Sequence, residues 1–250
     1  MLKFDSDGVE LAYTDDGEGE PVLLIHGFAS NVRTNWIDPG WVDTLTGAGY
    51  RAIAYDNRGH GQSQKLYDVE DYGAPIMAGD AERLLAHLNI PSAHVLGYSM
   101  GARIAVFLAL QKPQLVRSMV VAGMGINMVR GFGAPGPIAA ALEAESADDV
   151  ASITARSFRI FAESTGSDLM ALAACIRSSR EKISEETLSR LTVPTMVAVG
   201  SKDVIGGSAS ALAALIPGAE ALDILNRDHM KAVGDKTFKA GVLRFLAQNS

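Results

Sequence analysis

Cysteine is almost absent from this chain. Cys175 stands alone among 250 residues, which excludes an internal disulfide and any cysteine-rich zinc site and suits a reducing compartment. Its ordinary role is that of a small apolar filler on a helix. No basic stripe is present either: 22 Lys and Arg stand against 29 Asp and Glu, a formal charge of −7, and nothing offers an electrostatic footprint for nucleic acid. Long hydrophobic runs are missing. The longest are strand-length or broken by Lys, Arg or Gly, far short of the ~20 residues that a membrane-spanning helix needs. Met1 to Gly8 lack the basic stretch and apolar stretch of a secretion signal, so a cytoplasmic protein with no membrane partner is expected. There is no internal repeat, no low-complexity segment and no cluster of metal ligands, so no metal or organic cofactor is implied. Oligomeric state has no signature here.

What is present is alternation. Leu2–Phe4 and Val9–Thr14 are strand-like and joined through Asp7-Gly8, a hairpin signal. Val22–Ile25 is apolar at every position, the mark of a strand buried on both faces in a parallel sheet. Runs of the same kind recur at Arg51–Tyr55, Ala93–Tyr98, Ser118–Val121, Thr195–Val199 and Ala221–Leu225. Between them lie helical patterns at Trp41–Ala48, Ile76–Leu88, Met100–Gln111, Ala209–Leu215 and Thr237–Gln248. Such a chain folds as a parallel sheet with right-handed crossovers, one large α/β domain in length.

One connection is too long. From Ala122 to Thr195 there are about 70 residues, several times what a crossover helix requires. Residues 123–191 therefore read as an inserted helical lid, leaving 1–122 and 192–250 as the core. The lid is expected to begin with a flexible passage, Gly131 to Gly136, and to continue with helices at about 148–163, 168–180 and 185–191, N-capped by Ser146, Ser167 and Ser184. Gly131-x-Gly133-x-x-Gly136 matches a dinucleotide fingerprint in form only, since no strand precedes it and Pro135 lies within it.

The chemistry gathers at Gly97-Tyr98-Ser99-Met100-Gly101. An apolar strand runs straight into Gly-x-Ser-x-Gly and an apolar helix follows: the layout of a nucleophile elbow, which lifts the Ser99 hydroxyl above the sheet edge beside helix N–H groups that stabilise negative charge. Read without partners, the same residues are a tight turn with a serine helix cap. Partners exist. A serine hydroxyl needs a base, and the base needs an orienting acid. Among His26, His60, His87, His94 and His229, only His229 follows the last strand-like run in a loop at the C-terminal sheet edge, where catalytic groups collect. Asp203 follows the preceding strand at that edge; Asp228 is the other candidate acid, although neighbours in an extended loop usually point apart. Phe132, Phe158 and Phe161, with Met170, offer an apolar lining for a modest substrate pocket, or else pack the lid onto the core. Arg103, Arg130 and Arg159 are surface arginines or a clamp for a substrate carboxylate.

With Leu24-Ile25-His26-Gly27-Phe28 and Asp56-Asn57-Arg58-Gly59-His60-Gly61-Gln62-Ser63 added to these residues, the chain resembles the α/β-hydrolases, in the subgroup with a helical lid between the sixth and seventh strands. The resemblance implies a doubly wound, mostly parallel eight-stranded sheet and an oxyanion hole made by the backbone N–H groups of Phe28 and Met100. His26 and Gly27 would shape that loop, and Asp56 to Gly61 would form a structural turn, with His60 as a second base the alternative. Two positions depart from the family pattern: Ala102 replaces a common glycine, and no acidic continuation follows His229. The implied function is a serine hydrolase that cleaves a small or medium apolar carboxylic ester through an acyl-enzyme on Ser99. Serine at the elbow argues against haloalkane dehalogenases and epoxide hydrolases, which need a carboxylate there. Hydrolysis of a carbon–carbon bond in a vinylogous dioic acid, cofactor-free perhydrolysis, thioester hydrolysis, a lyase and a non-catalytic ligand-binding protein are the other readings.

Overall fold

A strand that is apolar on both faces is stable only where helices cover both, and the structure arranges this chain accordingly. The computed structural model describes residues 1–131, 133–178 and 182–250. Its strands are β1 (Leu2–Asp5), β2 (Glu10–Asp16), β3 (Glu20–Ile25), β4 (Tyr50–Tyr55), β5 (Ala93–Tyr98), β6 (Val116–Ala122), β7 (Thr195–Gly200) and β8 (Glu220–Ile224). They form one eight-stranded sheet in the order β1-β2-β4-β3-β5-β6-β7-β8. The β1–β2 and β2–β4 pairs are antiparallel and the rest are parallel. The first hairpin turns on Asp7 and Gly8, both at positive φ (56° and 85°), while Ser6 and Val9 exchange backbone hydrogen bonds. That turn's twist matches the strands it joins.

The helices are α1 (Trp41–Gly47), α2 (Ala74–His87), α3 (Met100–Gln111), α4 (Asn127–Arg130), α5 (Pro135–Glu143), α6 (Ile153–Ser164), α7 (Leu169–Ser178), α8 (Glu185–Leu188), α9 (Ala209–Ala213) and α10 (Lys236–Gln248). None among the described residues is long and apolar enough to cross a membrane. Alternate residues of each central strand feed opposite cores. Leu23 and Ile25 join the core under α2, α3 and α9, whereas Val22 and Leu24 join the one under α1 and α10.

Helices α4 to α8 all lie between β6 and β7, and here the expectation needs correction. The sequence pattern gives no sign of α4 or α5. Gly131 and Gly133 do take positive φ (84° and 64°), but Pro135 and Gly136 belong to α5 and are not part of a free passage. Pro135 opens that helix at a position where its missing N–H costs nothing. Ser146 caps only a short 3₁₀ turn at Ala147–Asp149. The long helix α6 starts later, after Ser152, whose hydroxyl accepts from the Ala155 N–H. Ser167 caps nothing: the Asp168 carboxylate takes the N–H groups of Met170 and Ala171, and Ser167 pairs with the Thr165 hydroxyl. A carboxylate also complements the positive helix end, which a neutral hydroxyl does not. Ser184 caps α8 through the Thr187 N–H. Arg159 is no surface residue either. Only 5 % exposed, it donates Nη1 to the carbonyls of Ala141, Leu142 and Ala144 and Nε to Glu163. It thereby satisfies the orphan carbonyls at the end of α5. Arg130 is exposed.

Candidate active site

The turn between β5 and α3 holds Ser99 at φ 56° and ψ −110°, a conformation that a non-glycine residue keeps only under constraint. The flanking glycines make room for it. A Cβ on Gly97 would stand 2.2 Å from the Gly101 carbonyl oxygen, and one on Gly101 would stand 1.9 Å from that of Ile25. Ala102 is fully buried without disturbing the turn, its N–H donating to the Ser99 carbonyl at 3.1 Å.

Two loops at the same sheet edge deliver the partners. His229, in the loop after β8, places Nε2 3.0 Å from Ser99 Oγ and Nδ1 2.8 Å from Asp203 Oδ2. Asp203 follows β7, and its other oxygen accepts the N–H groups of Ile205 (2.9 Å) and Gly206 (2.8 Å). The carboxylate is thus fixed from both sides. Asp228 is occupied elsewhere: it accepts from the N–H groups of Met230 and Lys231, and the Lys231 N–H above all holds its carboxyl below the ordinary carboxylate range. Tyr98, the residue before the serine, donates its hydroxyl to the His229 carbonyl and sets its ring 5.5 Å from the imidazole. Burial drives the Tyr98 hydroxyl well above its usual range, so it remains a donor. Nothing in the sequence singles Tyr98 out, because its partner lies 131 positions away.

The loop after β3 is pinned beside the serine. Gly27 donates its N–H to Asn35 Oδ1 (3.1 Å), on a π-helical turn at Arg33–Ile37. His26 donates Nδ1–H to the Gly27 carbonyl (2.7 Å) and accepts the Asn57 N–H at Nε2 (2.9 Å). Burial pushes His26 down to about 4. His60 is pushed down to about 3 by burial and then by His26, whose ring lies 5.3 Å away. Both are neutral structural imidazoles, and His60 lines neither cavity at Ser99. Asp56 staples this loop to the next turn by accepting from the N–H groups of Val32 and Gln62; Arg58 makes a buried bidentate pair with Asp80. The backbone N–H groups of Phe28 and Met100 donate to no acceptor among the described residues.

A cavity of about 420 Å³ opens above Ser99, lined by Tyr98, His229, Phe158, Phe161 and Ile205 among others. Of the apolar residues singled out in the sequence, Phe158 and Phe161 line this cavity. Met170 does not: it is 53 % exposed and lines no cavity at the serine. Phe132 lies outside the described residues. Arg103 is buried, not at the surface. No group of three or more His, Cys, Asp or Glu among the described residues is placed to hold a metal ion.

A serine on a strained strand-to-helix turn, in line with a histidine and a carboxylate at the edge of such a sheet, points to a class of protein. The family model described as alpha/beta hydrolase fold matches residues 20–152, and the chain belongs to that family. Among its relatives, a Mycobacterium tuberculosis protein that carries the name non-heme bromoperoxidase BpoC is 41% identical over 113 residues. The match covers 45% of this chain and 41% of that protein, so it spans less than half of the relative's length. The crystal structure of a hydrolase from Pseudomonas aeruginosa superposes with a TM-score of 0.80 at 26% identity, covering 98% of this chain and 97% of that one. A thermophilic esterase from Thermogutta terrifontis gives 0.76 at 25% identity, covering 100% and 99%.

Proposed function

We propose that this protein is a serine hydrolase acting on small or medium carboxylic esters with a largely apolar body. The observation that carries this reading is the single line of hydrogen bonds from Ser99 Oγ through His229 to Asp203. In it, His229 Nε2 takes the Ser99 proton as Oγ attacks the acyl carbon, and later gives that proton to the departing alcohol. Asp203 keeps the imidazole in the tautomer whose Nε2 is free to accept and steadies its positive charge. The N–H groups of Phe28 and Met100 receive the oxyanion; backbone donors of this kind are worth about 3 kcal/mol each to the transition state. Water, activated by the same histidine, then releases the acid. The likeness to the Thermogutta terrifontis esterase supports an ester as the scissile group.

The test is intact-mass analysis after incubation with a fluorophosphonate, with Ser99→Ala and His229→Ala alongside, followed by a panel of esters. One label per chain, lost in both variants, together with ester turnover, is the expected result. A folded native protein that takes no label and turns over no ester would overturn the reading.

A further inference from the structure

Ser99 stands at the junction of two chambers, the cavity of about 420 Å³ already described and a second of about 510 Å³. Phe28, Phe158 and Ile205 line both, whereas His229 lines only the first. The walls of that first chamber include Phe158, Ile160, Phe161, Met230 and Val233, and no Asp, Glu, Lys or Arg is among its described lining residues. Two of its hydroxyls are occupied within their own helix: Ser157 donates to the Ile153 carbonyl (2.9 Å) and Ser164 to the Phe161 carbonyl (2.7 Å). Ile160 and Met230 are half-exposed, so the chamber meets solvent at an apolar mouth.

The proton path fixes what this chamber holds. His229 Nε2 gives its proton to the departing alcohol, so the alcohol leaves through the chamber that His229 lines. Whatever next attacks the acyl carbon must approach along the same path, because the same nitrogen takes its proton. In hydrolysis that group is water. Water finds few hydrogen-bond partners beside Phe161 and Val233, whereas an alcohol with an apolar tail can set its hydroxyl at His229 and bury the tail against them. We propose that the protein is also an acyltransferase, passing the acyl group from Ser99 to neutral apolar alcohols that occupy this chamber. The proposal rests on the reading of Ser99 as an acylated nucleophile. In the transfer, the bond from the alcohol oxygen to the acyl carbon forms as the bond from Ser99 Oγ breaks, and the alcohol's proton passes to His229 Nε2 and from there to Oγ. One ester is exchanged for another and no water is consumed.

The experiment supplies p-nitrophenyl butanoate as acyl donor in buffer with methanol, butan-1-ol, hexan-1-ol or 3-hydroxypropane-1-sulfonate at equal concentration, and measures butanoate and the new ester by chromatography. The ratio of new ester to acid is expected to rise by about three- to fourfold per methylene added to the alcohol, and the sulfonate is expected to fall about tenfold or more below butan-1-ol. Ile160→Asp, at a half-exposed position that tolerates a charge, should lower the butan-1-ol ratio by about tenfold, and Ile160→Leu should keep it. Acid as the sole product with every alcohol, from a protein that labels at Ser99 and releases p-nitrophenol, overturns the transfer and leaves the nucleophile reading intact. Methanol or the sulfonate matching butan-1-ol, or an unchanged ratio in Ile160→Asp, overturns the apolar chamber as the acceptor site. Ester formed as fast by Ser99→Ala overturns the route through the acyl-enzyme. Failure to label Ser99 or to release p-nitrophenol overturns both this inference and the reading beneath it.

Discussion

Asp203→Asn is the substitution whose consequence the geometry dictates most fully. Asp203 Oδ1 accepts two backbone N–H groups, from Ile205 and Gly206, and Oδ2 faces His229 Nδ1 at 2.8 Å. An amide in that place must keep its oxygen toward the two N–H donors, because an NH₂ group there would confront them donor to donor. Its NH₂ is therefore turned toward His229. The imidazole answers by carrying its proton on Nε2, 3.0 Å from Ser99 Oγ, where it donates to the hydroxyl instead of accepting from it. The general base is gone while every heavy atom stays in place. Exchanges of this type cost about 10⁴-fold in kcat, or roughly 5 kcal/mol of barrier. The fold should hardly notice, since shape and both backbone bonds are kept. The assay is kcat on a short-chain p-nitrophenyl ester with the rate of fluorophosphonate labelling, paired with urea unfolding to show stability within about 1 kcal/mol of native. Asp228→Asn, run beside it, should stay within about threefold, because that carboxylate only caps its own turn. If Asp203→Asn kept activity within tenfold, or if Asp228→Asn did the greater damage, Asp203 would not be the acid and the tautomer argument would fall.

Tyr98→Phe removes the one side-chain donor to the His229 carbonyl among the described residues; it should cost about 1–3 kcal/mol of stability, read by urea unfolding, with a fall in kcat and little change in KM. Gly101→Ala forces a Cβ to 1.9 Å from the Ile25 carbonyl oxygen and should destabilise by about 4 kcal/mol or more. Gly47→Ala, in α1 with nothing within 4 Å, should stabilise by about 0.5–1 kcal/mol, and equal melting shifts in the two variants would refute the packing account. His26 and His60 are held neutral at about 4 and about 3. The unfolded chain, titrating at its ordinary 6.5, binds protons first as pH falls. The stability that these two residues contribute is present above pH 6.5 and is lost below it, by roughly 2 kcal/mol apiece at pH 5. His26→Gln should remove about half of that dependence, and an unchanged pH profile would show that the His26 imidazole is not buried as described.

The parts of this molecule that could be read from its sequence are those where one residue's surroundings are set by its near neighbours in the chain. Val22 to Ile25 had to be buried on both faces because no polar residue interrupts the run. Gly97 and Gly101 had to flank a sharp turn because the strand ran straight into a helix with no room for a loop. Asp203 and His229 were legible through topology: a parallel sheet opens all its strand-to-helix loops at one edge, so residues that follow different strands meet without any local signal of contact.

The helical insertion resisted the same reasoning for a physical reason. The two helices that left no sign in the sequence, α4 and α5, are short, and a short helix owes its existence to packing more than to propensity. Helix α5 opens on Pro-Gly-Pro, which reads as a loop, and continues through three alanines of little amphipathic contrast, and its C-terminal carbonyls are satisfied by Arg159 from α6, a partner that no window of sequence around α5 contains. Ser167 was the expected cap of α7, but Asp168 beside it is the residue that takes the helix N–H groups. Thr165 hydroxyl to Ala29 carbonyl, at 2.9 Å, ties the insertion to the loop beside the serine. Since Phe158 and Ile205 face both chambers, the same packing that hid these helices from a sequence reading also fixes the shape of the space above Ser99. The turn that holds Ser99 is thus a local property of the chain, and the shape of the space above it is a tertiary one. Substitutions along α5 and α6 should accordingly change which ester is cleaved while leaving Ser99 reactive to a small phosphonate.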